Sequence, residues 1–141
     1  MAHRFPSPEW TQAFADAVNN NEIYRTHGKA WTFGAVAMVI SKDEAIGIDD
    51  DTGMILDVHE GTCRGAELVF GMDSVLAAPF VIVAPYERWK KVIDGELDPI
   101  KAMMEGKLKM TKGHLPTMLR FVLSSRALVT SATDVATEYI A

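Results

Sequence analysis

Cysteine is almost missing from this chain: Cys63 is the only one in 141 residues. No internal disulfide can form, and a reducing compartment suits such a composition. Long hydrophobic runs are missing too. The longest, Val75–Ala84, is broken by Pro79 and falls well short of the ~20 residues that span a bilayer. The opening MAHRFPSPEW holds no apolar stretch of signal-peptide length. A cytoplasmic location is the expectation from these absences. Basic charge is in deficit, with 14 Lys and Arg against 19 Asp and Glu and a net charge of −5. Nucleic acid is therefore not an expected partner, because phosphates are held mainly by Lys and Arg. General attraction to anionic lipid is also lacking, although a local basic patch could supply it.

Chemical motifs are equally scarce. The four His show no close pairing of the zinc type. No Walker loop, dinucleotide fingerprint or nucleophile elbow occurs. Asp49–Glu60 has carboxylates at the first, third and twelfth places of a calcium loop. Gly53 replaces the fifth-place ligand, and Met54 stands where the turn Gly belongs, so a solvated turn fits better. His59–Cys63 resembles HExxH only until its last residue, and it sits on a strand and turn. Cys63 with His59 as thiol and base is outweighed by the ordinary role of a lone cysteine as a small buried hydrophobe. No catalytic residue, metal ligand or cofactor is expected.

What is present is an ordinary globular balance, 48% hydrophobic and 23% charged. One domain over residues 1–141 is expected, long enough to bury roughly 68–70% of its unfolded surface. Ser7 followed by Pro8 and Glu9 reads as a helix start. Trp10, Phe14, Ala17 and Val18 then share a face. A short helix over Glu22–His27 closes at Gly28. Strands are expected at Ala30–Ser41, Met54–Glu60, Cys63–Phe70 and Phe80–Ala84, with Asp73–Ala78 ambiguous. Pro85 opens a helix that Gly95 stops, and Asp98–Pro99 opens another that Gly106 stops. Lys107–Thr111 alternates as a half-buried strand with Leu108 and Met110 inward. Pro116 opens a helix with Leu119, Val122 and Leu123 on one face, and a last helical stretch is placed at Val129–Tyr139. This order predicts an α+β fold: a five-stranded, mainly antiparallel sheet covered on one face by helices. The fifth strand would join in parallel or at an edge.

The segment APFVIVAPYERWKKVIDGELDPIKAMMEGKLKMTKGHLPTM, residues 78–118, resembles the core of the sterol carrier protein type 2 family. The likeness runs through the strand Phe80–Ala84, the helix Tyr86–Gly95, Asp98–Pro99, Ala102–Met103–Met104, Gly106–Lys107–Leu108–Lys109 and Gly113. Two positions depart from the family pattern: Glu105, where Gln is frequent, and Lys112, where a small residue is usual. The resemblance implies an apolar tunnel between helices and sheet, and binding and intracellular transfer of a sterol, fatty acid, fatty acyl-CoA or phospholipid. Its expected lining is Phe80, Ile82, Trp89, Ile93, Ile100, Met103, Met104, Leu108, Met110, Leu119 and Leu123, with Met118 nearby. Flexible thioethers suit a pocket that takes varied shapes. Glu105, Lys107, Lys109 and Lys112 are candidates for the pocket mouth or a ligand headgroup, and the lysines for transient contact with a membrane surface.

Periodicity alone reads the same residues as a filled core. Two rival functions follow. One is an accessory or dimerisation module in a lipid or steroid pathway. The other is an enzyme on a bound acyl or steroid substrate, with Glu105, Asp98 or His114 as general base. Monomer and homodimer are both compatible with the pattern.

Overall fold

The structure is a computed structural model and describes residues 2–141. Helix α1 spans Pro8–Asn20, with the Ser7 hydroxyl accepting the Trp10 N–H at 3.0 Å. Asn21 ends it and begins α2, Glu22–His27, where its side chain accepts the Tyr24 N–H at 3.1 Å. One asparagine thus sets the angle between the two helices. Strand β1, His3–Phe5, precedes them.

The main sheet contains β2 (Val36–Ile40), β3 (Thr52–His59), β4 (Thr62–Phe70), β5 (Phe80–Ala84) and β6 (Lys109–Lys112), in the order β4-β3-β2-β5-β6. Only β2 and β5 run parallel; the other three neighbouring pairs are antiparallel. β6 lies at an edge, antiparallel to β5. The β3–β4 hairpin turns on Glu60 and Gly61, with φ of 50° and 82°, the left-handed pair that a tight hairpin requires. Glycine is also needed at Gly61 for space, since a Cβ there would lie 2.6 Å from the Arg25 carbonyl oxygen.

All five residues of β2 are buried, as befits a strand covered on both faces. Val36, Met38 and Ile40 join the large core beneath the helices, with Met54, Leu56 and Ile82 from the neighbouring strands. Ala37 and Val39 face the other way and pack with Val75, Ala78 and Val81. The cover there is a 3₁₀ turn, Met72–Val75, in the segment that sequence left ambiguous. After β5 come α3 (Tyr86–Ile93), α4 (Pro99–Met104), α5 (Leu115–Arg120) and α6 (Val122–Thr130). Asp98 caps α4 by accepting the Ile100 N–H at 2.9 Å.

Three expectations are corrected. Ala30–Ser41 is strand only over Val36–Ile40. Upstream, Gly34 takes φ +102° against Pro79 and Trp31 turns its ring into the core. The helix opened near Pro116 is two, because Phe121 adopts φ −107°, ψ 39° and interrupts the turn. The last helix ends at Thr130. A 3₁₀ turn over Ser131–Asp134 follows, and then strand β7, Thr137–Tyr139, pairs in parallel with β1. Three-residue strands offer too little pattern for periodicity to resolve, and their pairing joins the two ends of the sequence.

Candidate functional site

Between the helices and the sheet lie two small enclosed voids and, at the β6 edge, an open groove. The first void, about 10 Å³, is lined by Tyr24, Trp31, Val36, Val58, Met118, Ser124, Ser125 and Leu128. The second, also about 10 Å³, lies among Phe5, Trp10, Phe14, Met38, Met54, Trp89, Val92, Ile93, Val129 and Ala132. Each has room for about one water molecule. The groove, about 450 Å³, is lined by Met103, Gly106, Leu108, Lys109, Met110, Thr111, Gly113 and Leu115.

The expected lining residues therefore divide. Trp89 and Ile93 border the second void. The Trp89 indole N–H donates to the Val39 carbonyl at 2.8 Å and pins α3 to β2. Met103, Leu108 and Met110 border the groove. Ile82 and Ile100 are buried in the core, and Leu119 packs half-buried against it. Met104 and Leu123 depart from expectation: they are 67% and 50% exposed and stand outside the layer interface. In the short helix α4, Ile100 and Met103 take the inward face. The next position is rotated by about 100° to solvent.

Phe80 has a particular place. A Cβ at Gly113, which lines the groove, would lie 2.6 Å from its ring. Gly113 has φ +118°, so both backbone and space call for glycine. The Phe80 ring also packs at 5.0 Å, centroid to centroid, against Trp31, which lines the first void. Trp31 also meets Phe33 at 5.2 Å and Phe121 at 5.4 Å, and Phe33 meets Phe121 at 5.6 Å. These four rings form one cluster, which meets the groove at Gly113 through Phe80 and the first void through Trp31. The cluster includes Phe121, the non-helical joint between α5 and α6.

Lys107, Lys109 and Lys112 are all exposed. Lys107 pairs with Glu105 at 3.4 Å. Lys112 donates to the Leu76 carbonyl and ties the sheet edge to the cover of the far face. The groups considered as general bases hold structural bonds. Asp98 accepts from Ile100 and from Arg126 Nε at 3.2 Å. Partial burial pushes its pKa up, but the Ile100 N–H and Arg126 outweigh this and hold it below the ordinary value. His114 Nδ1 caps α5 through the Thr117 N–H and lies 2.8 Å from the Thr117 hydroxyl.

Cys63 is buried beside Val58 in the β3–β4 register, whereas His59 pairs with Thr62 on the opposite face. Burial, foremost, raises the thiol pKa. A backbone hydrogen bond at Gly65 opposes the shift, and nearby Asp57 and Asp16 add to it. The Asp49–Glu60 stretch runs into β3 from Thr52, and Asp51 accepts the Lys42 N–H at 2.8 Å. Among the described residues no group of three His, Cys, Asp or Glu converges to hold a metal, and no helix is long and apolar enough to cross a membrane.

Sequence reasoning missed the first void. Val36 and Val58 were legible as strand residues, but Tyr24, Ser124 and Ser125 carry no periodic signal. Tyr24 is a lone aromatic in a six-residue helix, and the serines are not among Leu119, Val122 and Leu123, the residues that the pattern places on the apolar face. The signal that could have found them is the α6 run Val122–Thr130, where Ser124 and Ser125 stand among apolar residues at core positions.

Comparison with known proteins agrees with this architecture. Residues 36–121 match the sequence model of the SCP-2 sterol transfer family. Among solved structures, a sterol carrier protein 2 crystal structure is 32% identical, with TM-score 0.86 over 92% of this chain and 98% of that one. A conserved hypothetical protein from Thermus thermophilus, whose name carries the suggestion of a sterol carrier, is also 32% identical. It superimposes with TM-score 0.83 over 94% of this chain and 90% of that one. Sterol carrier protein 2 from Yarrowia lipolytica, in its apo form, shares the fold at 13% identity and TM-score 0.51, over 88% of this chain and 87% of that one. No curated protein matches the chain. With the matched region covering well over half of its residues, the chain belongs to the SCP-2 sterol transfer family.

Proposed function

We propose that the chain acts as one domain that binds hydrophobic ligands, such as a sterol, fatty acid, fatty acyl-CoA or phospholipid, between its helices and sheet and transfers them without catalysis. The observation that carries the reading is the aromatic cluster, in a chain of this family, that meets a methionine-bearing open groove at Gly113 and a small buried void at Trp31; we read it as the partition between the two. A ligand enters along Met103, Leu108 and Met110. It displaces the Phe80 and Phe121 rings together with α5 and extends the first void into a tunnel. The closed interior is far smaller than the roughly 300–1,000 Å³ of ligand pockets in general, so access requires this movement. The six-residue α5, jointed at Phe121, is suited to supply it.

Transfer needs no large driving force. Burial stabilises a chain by about 0.8 kcal/mol per methylene relative to water, and a lipid already in a bilayer has that stabilisation. Exchange between bilayer and tunnel is then close to balanced, as a carrier requires. Lys107 and Lys109, beside the groove, would meet an anionic surface.

The closed interior also favours a second reading, a filled-core accessory module. Displacement of a fluorescent fatty acid, with native mass spectrometry of the purified protein for bound lipid, separates the two. Micromolar binding or a co-purified lipid supports the carrier. Absence of both would leave the module. An enzyme would additionally need turnover that Glu105→Gln, Asp98→Asn or His114→Gln abolishes.

A further inference from the structure

We propose that Tyr24, with Ser124 and Ser125, is the seat for the uncharged polar end of the bound ligand, a hydroxyl or carbonyl oxygen. This deepens the carrier reading above and rests on it. Tyr24 is 2% exposed, and its hydroxyl has no hydrogen-bond partner among the described residues. A buried unpaired hydroxyl is costly, and native proteins seldom keep one without a use. Burial, then the neighbouring Cys63, raises the Tyr24 pKa. The phenol therefore stays protonated at neutral pH and remains a donor.

The other polar groups of this void complement it. Ser124 donates its hydroxyl to the Phe121 carbonyl at 3.2 Å and Ser125 to the Met118 carbonyl at 3.3 Å. Each serine oxygen keeps lone pairs that can accept. A ligand hydroxyl could accept from Tyr24 and donate to a serine; a carbonyl could accept from Tyr24. All the remaining lining residues are apolar, and no Lys, Arg or His is among them. An ionised carboxylate there would be desolvated without a counter-charge. The seat thus selects sterols, long-chain alcohols and neutral esters over free fatty acids entering head first. An acid would instead hold its carboxylate at the groove, beside Lys109.

The test displaces Nile red from the full chain and from Tyr24→Phe with dodecan-1-ol, dodecane and dodecanoate. The expected result is that wild type prefers dodecanol to dodecanoate. Tyr24→Phe should weaken dodecanol about fivefold, the worth of one net hydrogen bond, and leave dodecane unchanged. Ser125→Ala should give a smaller loss of the same selectivity. If Tyr24→Phe changes dodecanol no more than dodecane, the seat is refuted while the carrier stands. A crystal structure of the dodecanol complex with only an ordered water on Tyr24 would also refute it. If wild type binds none of the three, the carrier reading fails and the seat with it.

Discussion

Replacing Phe80 by Ala tests the partition most directly. Phe80 is 5% exposed, and its ring packs on Trp31 at 5.0 Å with a 52° tilt and fills the space beside Gly113. Truncating a buried Phe costs about 3–5 kcal/mol, the removed surface and the residual cavity both contributing. A domain near the middle of the usual range, ~10 kcal/mol, keeps about half of its stability. At about 4 °C per kcal/mol for a chain of this size, Tm should fall by about 12–20 °C. The functional consequence has the opposite sign. With the ring gone, groove and first void merge, and a ligand no longer waits for the partition to open. Association of Nile red, followed by stopped flow, should therefore accelerate in Phe80→Ala, with Phe80→Leu intermediate in both stability and rate. Urea unfolding supplies the first measurement and the association rate the second. A stability loss below about 1 kcal/mol would refute the packing. Full destabilisation with an unchanged association rate would show that Phe80 does not separate groove from void, and the proposed path of the ligand would be wrong.

Three further outcomes follow from the same geometry. Asp98→Ala should lower stability by about 1 kcal/mol through loss of the α4 cap. Asp98→Asn keeps the cap and loses only the exposed pair with Arg126, a change of about a few tenths of a kcal/mol; equal losses in urea unfolding would contradict this. Because the folded pKa of Asp98 lies below its ordinary 3.8, its contribution is complete above that value. It disappears as pH falls through the lower folded pKa, so the acid limb of the stability profile should flatten in Asp98→Asn. The buried Cys63 thiol, its pKa raised chiefly by burial, should react with a disulfide reagent at about pH 8 far more slowly in the native protein than in urea; equal rates would show that it is open to solvent. Lys107→Glu with Lys109→Glu should slow lipid transfer to anionic vesicles, at about 1 kcal/mol per basic residue, and leave transfer to zwitterionic vesicles unchanged. A loss to both kinds of vesicle would place the effect inside the protein.

Much of the fold was legible because its signals are local. Ser7 and Asp98 cap helices through bonds to residues three and two positions away, so the sequence beside each cap states its role. Alternation in Met54–Val58 and the Glu60–Gly61 turn likewise mark a hairpin without reference to anything distant. The ends of the sequence behaved differently. β1 and β7 are three residues each and exist because they pair with one another, a contact between residues far apart along the chain. Trp31 stayed outside the predicted site because nothing beside it says that Phe80 and Phe121 will be its neighbours.

The sequence by itself therefore determined the helix starts, the hairpin, the α+β class and, through residues 78–118, the family. Each of these depends on the order of residue types along a short stretch. Only tertiary structure decided which apolar residues border space and which fill it. Met103 and Met104 are adjacent and chemically identical, yet one lines the groove and the other faces solvent. Tyr24 has the same composition whether its hydroxyl reaches water or is buried without a partner. That difference depends on how α2, α6 and β2 come together, and the free energy of a buried, unpaired hydroxyl exists only once they have.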